Sequence, residues 1–226
     1  MEKEQNQNRQ LIEDVKSDIK YFLEKRKNLF FNECDFQIHL AISLKESRKK
    51  YDNVYVEYFV PKNKLENYVW DSELYIDIVV EKAGKFCPIE LKYKTKEVSK
   101  VINRFGDELK DVTIIKSNGA HNLAKYGFWK DVQRIELVSK KFNNVEGGLA
   151  IFLTNDKSYL NSNKQKDTYS INFSIANGKH QKNKSWNKEN NENKSRPDFE
   201  VNKEYHIEWN DKQIGETNFY YCILEI

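Results

Sequence analysis

The sequence predicts an α/β fold, on three observations. Residues 11–23 and 30–46 repeat apolar side chains at helical spacing, so the chain opens with helices. Three runs rich in β-branched and aromatic residues follow within residues 54–94, as strands require. A long helical stretch, 120–142, then leads through two glycines into a short apolar run, 147–156. The order is helix, strand, strand, strand, helix, strand, with a β-rich C-terminal elaboration after it.

In the first helix Leu11, Val15, Ile19 and Phe22 form the apolar stripe. In the second, Phe30, Cys34, Ile38 and Ile42 recur every four residues, and Glu33 and Gln37 share an adjoining face that looks either to a common point or to solvent. VYVEYFVP, residues 54–61, reads as a strand ended by proline, with Glu57 facing away from Val56 and Tyr58. Residues 74–94, LYIDIVVEKAGKFCPIELKYK, read as two strands joined in a hairpin around Gly84. Side chains alternate between the faces of a strand, so Glu90 and Lys92 share one face, and Ile89 and Leu91 the other. Residues 95–118 are mixed in character. The helix after Gly119 carries an imperfect stripe of Leu123, Tyr126, Trp129 or Lys130, Ile135 and Val138. Beyond Asp156, residues 170–176 are strand-like, residues 177–195 form an Asn/Lys-rich tract with Trp186 in it, and EYHIEWN and NFYYCILEI read as two closing strands. A single domain of 226 residues is expected: an N-terminal helical segment (1–29), a core (30–156) and a β extension (157–226) with a polar surface loop near 177–195.

The 38 basic and 35 acidic residues leave a net charge of +3, which permits contact with nucleic acid without requiring it. Cys34, Cys87 and Cys222 are widely spaced among apolar neighbours, as in a reduced compartment, and neither they nor the four scattered histidines form the close pairs of a zinc site. The polar start, MEKEQNQNRQ, has no signal-peptide core, and no apolar run is long enough to span a bilayer, so a soluble cytoplasmic protein without membrane contact is expected. A phosphate loop of the GxxxxGK[ST] type is missing, so no nucleotide cofactor is expected.

The chemistry concentrates in the hairpin. Asp77 and Glu90 interrupt runs of Ile, Val and Leu, where an acid is unfavourable unless paired or metal-bound. Two carboxylates and a substrate phosphate suffice to anchor Mg²⁺, with the backbone carbonyl of Leu91 as a further ligand and Mn²⁺ as a substitute. An acid, a variable gap, then Glu-x-Lys resembles the active site of the PD-(D/E)XK nuclease superfamily, and the element order over residues 30–156 resembles its αβββαβ core. The proline that often precedes the first acid is Ile76 here.

The resemblance implies a restriction-endonuclease-like fold, with a mixed central sheet flanked by helices, and a metal-dependent DNA endonuclease of restriction or genome defence. In that scheme Lys92 orients the attacking water and stabilises the transition state, Glu33 is the auxiliary acid carried on a helix, and Gln133 reaches the cleft from the long helix after Gly119. Lys182, Lys184 and Lys188 in the polar tract, with Lys130 and Arg134 on the long helix, are the expected DNA contacts. DNA is the expected partner, and a homodimer is left open. The rival readings are a structure-specific repair or recombination nuclease, and a non-catalytic nucleic-acid-binding module that keeps the fold.

Overall fold

The structure, a computed structural model, describes residues 2–161, 169–187 and 196–226. Helices α1 (Glu2–Lys25) and α2 (Glu33–Lys45) come first. Strands β1 (Asn53–Val60), β2 (Leu74–Lys82) and β3 (Lys85–Lys94) follow as an antiparallel meander. Strands β4 (Val98–Arg104) and β5 (Asp107–Ile115) pair with each other as a separate ribbon. Helix α3 (His121–Lys141) then leads to β6 (Leu149–Thr154). The C-terminal part supplies β7 (Gly178–His180), β8 (Asn183–Lys184), β9 (Phe199–Glu200), β10 (Tyr205–Ile207), β11 (Asn210–Ile214) and β12 (Thr217–Glu225).

The fold is mixed α/β. Its central sheet has six strands in the order β1-β2-β3-β6-β12-β11, and its only parallel pair is β3 with β6. That pair needs a long crossover, which the ribbon and α3 provide. Helices α1 and α2 cover one face, where Val15, Ile19, Leu40 and Leu44 join Ile78, Val80, Ile89 and Leu91. Helix α3 and the C-terminal segments cover the other, where Phe128, Trp129 and Val132 join Phe152, Cys222 and Leu224. The two glycines ahead of β6 are needed for close approach: a Cβ on Gly147 would overlap the Ile226 carbonyl, and one on Gly148 the Pro88 carbonyl.

Several expectations are corrected. The buried face of α2 is Phe36, Gln37, Leu40, Ala41 and Leu44, while Cys34 is exposed and Ile38 and Ile42 are each 49% exposed. Phe30 is buried, but in the turn before the helix. Residues 170–176 hold a 3₁₀ turn, Ile171–Phe173, instead of a strand. Residues 95–118, left unassigned above, contain the ribbon. NFYYCILEI lies in β12, which joins the central sheet beside β6 and carries β11 on its other edge. Trp186 is buried against Tyr126, Tyr169 and Phe173 with ring separations of 5.4, 4.8 and 4.6 Å, so this part of the polar tract is tied to the core. Among the described residues, no helix is long and apolar enough to cross a membrane.

Candidate functional site

The hairpin turns at Ala83 and Gly84, with φ of +52° and +72°, the left-handed pair that a two-residue turn between twisted strands demands. From there β2 and β3 pair as far as Ile78 opposite Ile89. Asp77 and Glu90 are the next opposed positions, and there the ladder stops. On the other side of β2 the pairing with β1 passes over Glu57, whose φ is +49°. The phase of β2 slips at the same place. Ile76 and Val79 lie in one cluster and Ile78 in another, although strict alternation would put Ile76 with Ile78.

The backbone groups freed by this split are taken up by side chains. The Leu91 N–H donates to Asp77 Oδ2 at 2.6 Å, and the Tyr93 N–H donates to Glu33 Oε2 at 2.7 Å. Gln37 Nε2 donates at 2.7 Å to both the Asp77 carbonyl and Glu57 Oε1. These contacts explain why Gln37 is buried in an otherwise apolar helix face. The Leu91 carbonyl accepts from Lys92 Nζ at 3.1 Å.

Helix α3 completes the cluster. Lys92 Nζ is in ion-pair contact with Asp131 Oδ2, an oxygen with no aligned hydrogen bond. Arg134 Nη1 lies 3.5 Å from Asp131 Oδ1 and 3.9 Å from Glu90 Oε1. Gly127, one turn before Asp131, lets the Lys92 chain pass beneath the helix: a Cβ there would stand 3.2 Å from Lys92 Cε. Three carboxylates, Asp77, Glu90 and Asp131, therefore surround two cations.

Burial and charge act in opposite senses here. Burial pushes the Asp77 carboxyl up to about 6, with Asp131 adding to the rise while Lys92, the Leu91 N–H and Glu90 oppose it. Glu90 is held well above the ordinary carboxylate range by burial, then by Asp131 and Asp77, against Lys92 and Arg134. Burial pulls the Lys92 ammonium down, but Asp131, Glu33, Glu90 and Asp77 outweigh it, and its pKa is raised.

Asp77, Glu90 and Lys92 thus lie within electrostatic reach of one another. Glu33 reaches β3 beside Tyr93 and pairs with Lys94 at 3.3 Å. Gln133 points elsewhere: its Nε2 donates to the Glu200 carbonyl at 2.9 Å, because it lies on a different face of α3 from Asp131 and Arg134. Lys184 is not at the surface. It is fully buried, with Nζ 3.5 Å from the centre of the Trp129 ring, a placement unsuited to a phosphate contact. Lys188 lies outside the described residues, and Lys182 is exposed. Asp131 escaped the sequence reading. Its signal was an acid two residues after Trp129 and directly before Val132, with Arg134 three residues on.

Compared with family models, curated proteins and solved structures, the chain matches none.

Among the described residues, no group of three or more His, Cys, Asp or Glu side chains is arranged to hold a metal ion. The oxygen donors at the split are two carboxylates and the Leu91 carbonyl. Glu90 Oε1 is buried without a hydrogen bond, an orphaned hard oxygen. This donor set fits a small divalent cation that keeps several waters and needs few protein ligands. The cluster also sets carboxyl groups of raised pKa beside a fixed ammonium, a combination able to hold or move a proton.

Proposed function

We propose that this chain is a metal-dependent DNA endonuclease of the PD-(D/E)XK type, with Mg²⁺ or Mn²⁺ held by Asp77, Glu90 and the Leu91 carbonyl. One observation carries the reading: Asp77 and Glu90 meet beside Lys92 at the point where β2 and β3 part. A divalent ion bound there supplies Lewis-acid stabilisation of the phosphoryl oxygens and lowers the pKa of a bound water.

The protein residues do the rest. Lys92, kept protonated by its carboxylate neighbours, offers positive charge to the phosphoryl group as negative charge develops. Asp131 and Arg134 hold the Lys92 and Glu90 side chains between them, so both are oriented before substrate arrives. Asp77 fixes the Leu91 backbone through its N–H, and the Leu91 carbonyl accepts from Lys92 Nζ. A role in restriction or genome defence rests on the superfamily resemblance alone.

The test is cleavage of supercoiled, linear, branched and methylated DNA with Mg²⁺, Mn²⁺ or a chelator. Cleavage that requires the ion and is lost in Asp77→Asn supports the reading. Preference for branched DNA would shift it to repair or recombination. Tight DNA binding with no cleavage under any ion would leave a non-catalytic binding module.

A further inference from the structure

Beside the carboxylate cluster, the loop between β1 and β2 lies against α3 and creates a second feature. Trp70 Nε1 donates to Tyr126 OH at 2.7 Å, and the Trp70 ring is buried, which ties this loop to the helix. Ser72, at the exposed end of the loop, is met by two cations from α3. Lys130 Nζ donates to its Oγ at 3.3 Å and Arg134 Nη2 at 3.4 Å. Arg134 Nη2 also donates to Tyr68 OH at 3.3 Å.

All three bonds are long for N–H···O contacts, which cluster near 2.9 Å, so strong cationic donors are aimed at weak neutral acceptors. Lys130 and Arg134 stand four residues apart on one helix face, where like charges repel. Arg134 is shared with Asp131 and Glu90, but among the described residues Lys130 has no carboxylate in ion-pair contact. Its ammonium has only the Ser72 hydroxyl and the face of Trp70, 5.1 Å from the ring centre. Arg134 Nε is buried with no partner at all. Burial and the neighbouring Arg134 and Lys92 lower the Lys130 pKa to about 8, against Asp131 and Glu90, the electrostatics of a place that lacks an anion. An anion between the two side chains would shorten their bonds, relieve their repulsion and restore Lys130.

We propose that Lys130, Arg134 and Ser72 form a phosphate cradle that grips a backbone phosphodiester of the nucleic acid beside the one presented to Asp77 and Glu90. The proposal rests on the nucleic-acid reading above and deepens it. The carboxylate cluster gives the ligand its class: a chain bearing several phosphates can present one group at the metal ligands and the next at the cradle. A neutral or cationic ligand would leave the Lys130–Arg134 repulsion in place.

The experiment is binding of a short DNA duplex by the full chain in chelator, followed by fluorescence anisotropy across a salt series, with Mg²⁺-dependent cleavage measured in parallel. Lys130→Ala is expected to weaken binding on the order of tenfold, the scale of one lost hydrogen bond to a charged group. It should also flatten the log K against log salt slope by about 0.9, one phosphate on duplex DNA. Ser72→Ala should weaken binding less and leave the slope alone, because no charge is removed. Lys140→Ala, on the same helix but paired with Glu66 at 3.2 Å, should bind as the parent does. An unchanged slope in folded Lys130→Ala overturns the cradle, and so does an equal loss in Lys140→Ala, which would indicate a diffuse field. A parent protein with no affinity for DNA overturns it too. Loss of slope in a protein that never cleaves keeps the cradle and removes the hydrolase reading. Cleavage with an unchanged Lys130→Ala slope does the reverse.

Discussion

Lys92 on β3 and Asp131 on α3 form an ion pair whose side chains are 18% and 4% exposed, at the centre of the carboxylate cluster. This contact locks helix to sheet and holds the ammonium beside Glu90. It also gives the lysine a structural role beside the chemical one proposed for it. Removing one member of a buried pair leaves the other uncompensated, which costs about 3–5 kcal/mol.

Lys92→Ala is therefore expected to lose stability and cleavage together, and by itself it cannot separate the two. The double variant Lys92→Met with Asp131→Asn removes both charges. It should recover most of the stability lost by Lys92→Ala in urea denaturation, yet remain on the order of a hundredfold or more slower in cleavage, the effect of a missing electrostatic group. Parent-like cleavage by the double variant would exclude Lys92 from the chemistry.

Asp77 accepts the Leu91 N–H and is the proposed metal ligand, two tasks that substitutions can separate. Asn retains an oxygen able to accept the Leu91 N–H, whereas Ala leaves that donor without its partner, at about 1–3 kcal/mol. Asp77→Asn should melt near the parent temperature and Asp77→Ala clearly below it, while neither cleaves. Equal melting temperatures for the two variants would show that the cap on Leu91 contributes nothing.

The hairpin was legible because its signals are local. Alternation, two glycine-compatible turn positions and acids inside apolar runs all lie within residues 74–94. The buried face of α2 was not, because two four-residue stripes compete in it and both contain apolar side chains. What selects Phe36, Leu40 and Leu44 is contact with the sheet, and Gln37 is drawn in by the Asp77 carbonyl, 40 residues away in sequence. Lys184 was misread for a similar reason. Its Asn/Lys-rich surroundings read as surface, and only the fold brings it under Trp129, 55 residues earlier. Asp131 likewise acquires its meaning from Lys92 on another element.

Lys184 makes the stability depend on pH. Burial lowers its pKa to about 7, far below the value of about 10.4 in an unfolded chain. The folded state resists the proton, so the group costs nothing above the unfolded value, and its penalty grows as pH falls toward about 7. Between those limits stability should rise by up to about 1.4 kcal/mol per pH unit from this group. Attraction to the Trp129 ring and the bond from Nζ to the Asn172 carbonyl, 3.3 Å, offset part of the effect. Lys184→Met should be more stable than the parent near neutral pH, and its advantage should shrink toward pH ~10, measured by denaturant unfolding across that range. An advantage independent of pH would mean that Lys184 is not titrating there.

Glu90 offers the most direct test of metal binding apart from catalysis. Its carboxylate is buried, has an oxygen without a hydrogen bond, and is raised well above its ordinary pKa by burial and by Asp131 and Asp77. Without a metal, Glu90→Gln replaces a buried carboxyl that resists ionisation with a neutral amide of the same shape and should unfold at a temperature equal to or above that of the parent. With Mg²⁺ the order should reverse. An ion that binds only the folded state stabilises the parent by about 2.7 kcal/mol at a hundredfold excess over Kd, and a chelator should abolish the gain. Glu90→Gln, left with one of the two proposed carboxylate ligands, should show little response to Mg²⁺. If parent and variant shift equally with Mg²⁺, the ion is bound elsewhere and Glu90 is not a ligand.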